Sequence, residues 1–293
     1  MKQLIVNADD FGLTSGVNRA VAELHAEGLL TSSTLMARAG ATEEAIEITR
    51  STPSLGVGCH VVLVDGTSVL SASCDVPHLA SPATGQFRQS LGAFLADLYA
   101  GRGSSAYTRE IEAEARAQIE YLQNRGVNLT HVDAHKHTHM FPKVLRPVLR
   151  AARAAGIRKV RNPFEPAWAV HATAGASWAR IAEVSLLRWL KPIWQRILTE
   201  EGFTTTDGTI AVVGTGVLNA DMLRSLLQRL PDGTWELVTH PGYNDADLAK
   251  VPTRLRASRE IERGALATLK EFPDVDLISF QHLLQSMPSP ANI

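Results

Sequence analysis

Residues 3–12 have the sequence QLIVNADDFG, a short apolar run that ends in two adjacent aspartates. Gln3–Ala8 predicts a buried β-strand, because a short apolar run rich in β-branched residues is typical of a strand covered on both faces. Val17 and Val21 then repeat at helical spacing, and Gly28 is placed to end a helix. The start of the chain therefore predicts a strand followed by a helix, the unit from which parallel sheets are built.

The same alternation continues along the rest of the chain. Further strands are predicted at Ser32–Met36, Gly56–Val64, Asn128–Asp133, around Val160, Thr209–Val213, Trp235–Thr239 and Val275–Ser279. About eight strand–helix units predict an α/β fold with parallel strands, either doubly wound or closed into a barrel. Because unusual polar residues cluster where the strands end, we favour a TIM-like (β/α) barrel of irregular form with outer helices.

The composition excludes several classes of protein. The chain has 293 residues, 45% of them hydrophobic, so it can bury a large core and is not disordered. Lys and Arg number 29 against 30 Asp and Glu, which argues against a nucleic-acid-binding protein or a polybasic membrane binder. We expect one barrel domain over residues 1–293, with a long loop at about 65–104 and a helical insert at about 165–205.

Cysteine usage and hydropathy predict the compartment. Cys59 and Cys74 form neither a disulfide framework nor a thiolate metal site, so we expect free thiols in a reducing environment. The apolar run at the start of the chain is too short for a signal peptide, and no segment provides the roughly 20 apolar residues of a transmembrane helix. These features predict a cytoplasmic protein.

Four of the ten histidines lie in the segment Thr130–His139. If the strand persists, its alternation places His131, Asp133 and His135 on one face. Four imidazoles here would repel one another on protonation, so a divalent metal accounts for them better than a solvated His-rich loop. Neutral imidazole suits Zn, Co, Ni and Fe, and carboxylate binds nearly any of these. Two or three of the four can be ligands, and the others would orient those ligands or contact substrate.

Polar residues at three other strands are candidates for the same site. Asp9 and Asp10 are adjacent, and neighbouring strand residues point to opposite faces, so one can bind a metal while the other acts as a base. An Asx turn is the simpler alternative for this pair. His60 lies in an apolar run, where a buried core histidine is the commoner explanation. His240 ends a strand at a turn and is a candidate proton donor.

Three short motifs occur in a fixed order along the chain. They are Asn7–Gly12 (NADDFG), Gly58–Leu63 (GCHVVL) and His131–His139 (HVDAHKHTH). Together they resemble the YdjC-like carbohydrate deacetylase family, the ChbG/HpnK group. His240–Tyr243 (HPGY) is similar to a later motif of that family, and the resemblance extends from Val6 to about Asp245.

The resemblance implies a role for each motif residue. Asp10, His60 and His135 would bind one divalent metal ion (Zn, Mg, Co or Mn), and Asp9 would be the general base. His240 would be the acid and Arg161 a substrate contact. The fold implied is a (β/α) barrel of the deacetylase type. The remaining residues of the cluster would orient the ligands or contact substrate, namely His131, Asp133, His137 and His139.

The sequence thus predicts a metal-dependent hydrolase of carbohydrate metabolism that removes an N-acetyl group from an amino sugar, within an oligosaccharide or a glycolipid. One alternative is a metal-dependent hydrolase or non-haem-type enzyme acting on another small substrate, since two His and one carboxylate also define non-haem iron sites. Another is a non-catalytic protein that binds sugar or metal. Trp168 or Trp189 can stack on a sugar, although core packing is the simpler expectation, and a homodimer is a further expectation.

Overall fold

The central strand of the sheet is the first one in the chain. The computed structural model describes residues 1–100, 104–173 and 177–283. Strand β1 (Lys2–Phe11) pairs in parallel with a strand at Gly233–Thr239 along one edge. Its other edge is shared, because Asp276–Ile278 pairs with its first half and Ser32–Leu35 with its second half. This central position explains why every residue of β1 from Leu4 onward is buried.

Seven strands and ten α-helices lie in the described ranges. The other strands are β2 (Ser32–Leu35), β3 (Gly56–Val61), β4 (Leu129–Ala134), β5 (Gly208–Ile210), β6 (Gly233–Thr239) and β7 (Asp276–Ile278). The helices are α1 (Ser15–Ala26), α2 (Thr42–Ser51), α3 (Leu91–Ala100), α4 (Ser104–Gln123), α5 (Pro142–Ala154), α6 (Ala167–Ala172), α7 (Trp178–Leu187), α8 (Lys191–Glu201), α9 (Ala220–Gln228) and α10 (Ser258–Ala265). The strand order is β4-β3-β2-β1-β6-β5, with β7 against β1.

The sheet is parallel and curled, as predicted, but regular strands do not close it completely. The predicted strand around Val160 forms only isolated bridges, from Val160 to β4 and from Lys159 to Thr204, which precedes β5. The chain then reaches Pro163 and Pro166, which have no N–H to donate to a ladder. The fold is therefore an α/β half-barrel of TIM-like form surrounded by helices, with seven strands in the described ranges against about eight expected.

The two segments predicted to interrupt the barrel both contain helices. The stretch at about 65–104, predicted as an irregular loop, contains helix α3, whose Phe94 and Leu98 are buried in the core. The segment at about 165–205 contains α6, α7 and α8. None of the described helices has both the length and the hydropathy needed to cross a membrane. Cys59 is buried and Cys74 exposed, and both are free.

Candidate active site

A bulge at the end of β1 brings both aspartates to the same place. Ala8 pairs with Ser33 and Phe11 with Leu35, so β1 contains one residue more than β2 between these pairs. Asp10 has a positive φ of 63°, a conformation that non-glycine residues rarely adopt. The extra residue breaks the alternation on which the sequence argument relied. Asp9 and Asp10 consequently both line the same cavity instead of pointing to opposite faces.

His60, at the end of β3, is oriented by a carboxylate behind it. Its Nδ1 donates to Asp133 Oδ1 at 2.8 Å, and the Thr34 hydroxyl lies 3.2 Å from the same nitrogen. A proton fixed on Nδ1 leaves Nε2 free to face the cavity. Burial lowers the pKa of His60, but Asp133, Asp9 and Asp10 together raise it to about 9, so a proton competes with a metal ion for Nε2 near neutral pH. The strand therefore carries a buried histidine, as expected, and its Nε2 points toward other polar groups.

Three potential ligand atoms converge at the cavity floor, and His60 Nε2 is one of them. His135 Nδ1 lies 3.2 Å from it, and Asp10 Oδ1 lies 3.6 Å from His60 Nε2 and 3.4 Å from His135 Nδ1. His135 is directed here by the turn after β4, in which Lys136 and His137 adopt positive φ. The structure thus brings together Asp10, His60 and His135, the three residues for which the family resemblance implies metal binding.

The spacing of these atoms fits a divalent metal. Tetrahedral bonds of 2.0–2.1 Å place ligand atoms about 3.3 Å apart, close to the three separations here. The tautomer of His60 also fits, because a ligating imidazole usually donates its other N–H to a carboxylate. Asp9, His60 and Asp133 form a second group of carboxylate and imidazole atoms. Here a side-chain cation takes the place of a metal ion, because Arg161 donates to both carboxylates.

Arg161 is the centre of a fully buried charge cluster. Its Nη1 and Nη2 donate to the two oxygens of Asp9 at 2.8 and 2.6 Å, and Nη1 also lies 2.5 Å from Asp133 Oδ2. Its Nε donates to Glu236 Oε1 at 2.7 Å. Burial opposes ionisation of Asp9, but Arg161 prevails and holds the pKa of that carboxyl far below its usual range. Arg161, predicted as a substrate contact, is instead enclosed among three carboxylates.

Glu236 and Arg259 have no counterpart among the predicted site residues. Burial raises the pKa of Glu236 to about 7 despite its bond to Arg161, so this carboxyl is only partly ionised near neutral pH. Arg259, from α10, donates from Nη2 to Asp10 Oδ2 at 2.5 Å. This bond occupies one oxygen of Asp10 and leaves Oδ1 facing the two histidines. Arg259 Nε and Nη1 have no hydrogen-bond partner among the described residues.

His240 follows β6 and faces Asp9. Its Nε2 is 3.9 Å from Asp9 Oδ2, and its Nδ1 is 3.5 Å from Oε2 of Glu262 in α10. The same Glu262 oxygen accepts the backbone N–H of His240 at 2.6 Å. Burial lowers the pKa of His240, but the Glu262 carboxylate, with Asp9 and Asp10, raises it overall. These contacts favour a protonated imidazole whose Nε2 points into the cavity.

The other histidines of the cluster lie at different depths. His131 stacks on Phe280, with ring centroids 3.7 Å apart, and is not among the residues that line the cavity. His139 is also buried away from the cavity and bonds through Nε2 to the Arg161 carbonyl oxygen at 3.2 Å. Only His137 lines the cavity, with a buried Nδ1 that has no described partner. Burial lowers the pKa of all three imidazoles, to about 3 for His131 and about 4 for His139.

The cavity above these residues has a volume of about 610 Å³. Its floor is polar and contains Asp9, Asp10, His60, His135 and His240. Its walls combine polar residues, such as Gln89, Arg180 and Arg254, with apolar ones that include Leu91, Met140, Phe164, Val184, Leu187 and Leu255. A concave site with apolar surface and convergent polar groups is the usual form of a small-molecule site.

The tryptophans do not take the sugar-stacking positions considered from sequence. Trp168 packs edge-to-face on Trp235, and Trp194 is fully buried against Phe164. Core packing, the simpler expectation, is correct for these helix-borne residues. Trp178 and Trp189 are 83% and 81% exposed and do not line the cavity.

Carboxylates and imidazoles gathered at the carboxyl ends of parallel strands define an enzyme of the barrel type. Comparison with known proteins leads to the same class. The model of the YdjC-like protein family matches residues 3–272. A carbohydrate deacetylase of Brevibacillus brevis is 32% identical over 96% of this chain and 99% of its own length. A carbohydrate deacetylase of Geobacillus stearothermophilus is 34% identical over 84% of this chain and 81% of its own length.

The chain therefore belongs to the YdjC-like family, which confirms both the predicted resemblance and the prediction that it is an enzyme. A crystal structure from Enterococcus faecalis V583, described as a cellobiose-phosphate cleavage protein, superimposes with a TM-score of 0.74. It is 24% identical and is covered over 98% of its length, with 96% of this chain matched. At this identity the likeness supports the fold alone.

Proposed function

We propose that the protein hydrolyses the N-acetyl group of an amino sugar, releasing acetate and a free amine. One observation carries the proposal: a potential metal-binding trio, Asp10, His60 and His135, lies beside a separate ionised carboxylate, Asp9, at the floor of a cavity. A binding protein has no need of that additional carboxylate. The names of the curated relatives support deacetylation of a carbohydrate.

Asp10, His60 and His135 would hold one divalent ion, with zinc, magnesium, cobalt and manganese as the candidates. When bound, such an ion polarises a carbonyl oxygen and lowers the pKa of water. Arg259 would keep Asp10 Oδ1 turned toward the site, and Asp133 would keep the His60 proton on Nδ1. These two contacts hold the ligand atoms in place before any ion binds.

Asp9 would be the general base. Its Oδ1 accepts from Arg161, Asn7 and Thr34, whereas Oδ2 accepts from Arg161 alone and faces His240. Oδ2 is therefore the oxygen with a free lone pair in the cavity. It would take a proton from the water whose oxygen forms the new bond to the acetyl carbon.

His240 would be the general acid. The Glu262 carboxylate favours its protonated state, so Nε2 carries a proton toward the cavity. When the carbon–nitrogen bond of the amide breaks, this proton would pass to the departing amine. One proton is thus accepted at Asp9 and one donated at His240, which balances hydrolysis to acetate and amine. Predicted homodimer formation and cytoplasmic location play no part in this chemistry and stay predictions.

The proposal is tested by pairing substitutions of the adjacent aspartates. With a panel of N-acetylated amino sugars, the metal-loaded wild type should release acetate. Asp10→Ala should lose both stoichiometric metal and acetate release, whereas Asp9→Asn should keep the metal and lose roughly 10²–10⁴-fold in kcat. Metal content by elemental analysis and acetate by a coupled assay distinguish the two.

Asp232→Asn, whose exposed carboxylate pairs with the N-terminus at the surface, is a control that should leave both readouts unchanged. An Asp9→Asn enzyme as fast as the wild type would refute the assigned base. Absence of acetate with every sugar and every metal would favour the non-catalytic alternative, and a requirement for oxygen would favour the non-haem alternative.

A further inference from the structure

Glu165 is a buried acidic residue that the proposed mechanism does not use. Its side chain lines the cavity, is 1% exposed and forms no ion pair within the described ranges. Instead, both oxygens accept backbone N–H groups, Oε1 from Ala211 at 2.8 Å and Oε2 from Val213 at 2.7 Å. Burial raises the pKa of this carboxyl to about 7, although its bonds to the backbone lower it. The hydrogen bonds of Glu165 thus go to the segment after β5, residues 211–216, which we call the β5 loop.

The β5 loop begins with a strained residue. Ala211 has a φ of 71°, in the left-handed region that residues with a Cβ rarely adopt. A conformation of this kind persists where the surrounding structure determines it, and such residues cluster at functional sites. Glu165 supplies that constraint, because it bonds to the N–H of Ala211 itself and to the N–H two residues later. The side chain therefore fixes the backbone on both sides of Val212.

The β5 loop forms part of the wall of the active-site cavity. Val212 and Thr215 line the cavity. Val212 and Val213 also pack with Val170 of α6 and Val184 of α7 in a small apolar cluster. The loop is thus enclosed between these helices and the cavity, so a change in its conformation changes the shape of the cavity.

The position of β5 in the sheet indicates which part of the substrate the β5 loop faces. β5 pairs with β6, with Ile210 opposite Leu237, and His240 follows β6 directly. The potential metal ligands lie at the ends of β1, β3 and β4, none of which is paired with β5 in the sheet order. In the proposed reaction the departing amine lies beside His240, and this amine belongs to the sugar. The loop of the neighbouring strand is therefore placed to contact the sugar.

We propose that Glu165 is a positioning residue that holds the β5 loop in the conformation that binds the sugar part of the substrate. The identity of that part rests on the proposed deacetylation, whereas the hold of Glu165 on the loop does not. Glu165 takes no part in bond breaking, so its loss should affect substrate binding and leave the chemical step in place.

Hydrogen exchange tests the hold on the loop without any substrate. The N–H groups of Ala211 and Val213 should exchange at least about tenfold faster in Glu165→Gln than in the wild type, because the glutamine amide presents a donor to one of them. Ala211→Gly removes the strain of the positive φ. The double variant Glu165→Gln/Ala211→Gly should therefore exchange more slowly at Val213 than Glu165→Gln alone. Glu271→Gln, which removes a surface carboxylate paired with Arg224, is the matched control and should exchange like the wild type.

Kinetics test what the loop contributes to the reaction. With the best substrate found in the acetate assay, Glu165→Gln should raise KM about fivefold to tenfold, as expected for one lost hydrogen bond, and leave kcat nearly unchanged. Adding Ala211→Gly should restore most of the wild-type KM. Adding Ala155→Gly instead should restore nothing, because Ala155, at the end of α5, has a φ of −89° and no such strain.

Three results would overturn the proposal. They are wild-type exchange of the loop in Glu165→Gln, a loss of kcat at unchanged KM, and a raised KM that Ala211→Gly does not reverse. The last result would show that Glu165 contacts the sugar itself. If the wild type releases no acetate from any sugar, the proposed function fails and so does the role in binding a sugar, while hydrogen exchange still decides whether Glu165 holds the loop.

Discussion

Asp9 and Asp10 are neighbours in the chain, yet their surroundings differ completely. Asp9 has both oxygens bonded to Arg161 inside a fully buried charge cluster. Asp10 has one oxygen bonded to Arg259 and presents the other to two imidazoles at the cavity floor. The two residues are of the same type and adjacent in the chain, so the difference between them comes from the arginine that each one contacts. The comparison predicts that loss of either arginine has a different consequence.

The largest effect is expected at Arg161. Arg161→Met removes the cation that Asp9, Asp133 and Glu236 share, and leaves buried carboxylates without a partner. Breaking a buried ion pair in this way costs about 3–5 kcal/mol, so we expect a loss of this size in the free energy of unfolding, measured by urea denaturation.

The matched control for this substitution is Arg224→Met. Arg224 also contacts two carboxylates, Asp221 and Glu271, but at the surface. Exposed pairs contribute about 0–1 kcal/mol, so its unfolding curve should nearly superimpose on that of the wild type. Equal losses in the two variants would show that burial does not determine how much the Arg161 cluster contributes to the free energy of unfolding.

A smaller effect is expected at Arg259. Arg259→Met frees Asp10 Oδ2 and removes the contact that directs Oδ1 toward His60 and His135. Contacts that orient ligands typically affect metal affinity about 10–100-fold, and we expect a weakening in this range by competition with a chelator. Arg259→Lys should recover part of the affinity because it can still donate to Oδ2. Unchanged affinity in the Met variant would mean that Asp10 needs no such support.

The smallest effect is expected at Glu262, which contacts His240, the proposed acid. The nearby Glu262 carboxylate raises the pKa of His240 against the effect of burial. A proton donor is active below its pKa and loses activity as the pH rises through it. Glu262→Gln removes the negative charge, so the alkaline limb of the kcat–pH profile should move to lower pH.

At neutral pH the loss in this variant should be less than the roughly 10²-fold expected from removing the acid itself. Asp9 keeps its bonds to Arg161, which hold its pKa far below the usual range, so the variant should show no new loss of activity on the acid side. An alkaline limb that does not move would contradict the assignment of His240 as the acid.

Sequence reasoning succeeded where the signal was local. The apolar run before Asp9 predicted the strand, and the resemblance to the family implied that Asp10, His60 and His135 lie together. The sequence did not predict the bulge, because the positive φ of Asp10 breaks strand alternation at a single residue. The sequence also did not predict a role for Glu236 or Glu165, because each is a single acidic residue in a segment without a recognised motif. Glu165 accepts the N–H groups of Ala211 and Val213 beside the cavity.

Helix α10 carries a further signal in its sequence. Arg259 and Glu262 are three residues apart, so they lie on one face of the helix. That face is the buried one, and it brings one charge to Asp10 and the other to His240. Two charged residues on the core-facing side of an amphipathic helix indicate a functional contact even though neither belongs to a recognised motif.

The central position of β1 has a consequence for how the protein is made. Gln3 pairs with Asp276, 273 positions away. The other edge of β1 stays unpaired until β6 has been synthesised. At about 5–20 residues per second, a ribosome needs roughly 15–50 s to add the missing partners. During that time an apolar strand with unpaired edges is exposed to aggregation. Asp10 is synthesised 249 positions before its partner Arg259, so the yield of folded protein in the cell depends on how β1 is protected during this interval.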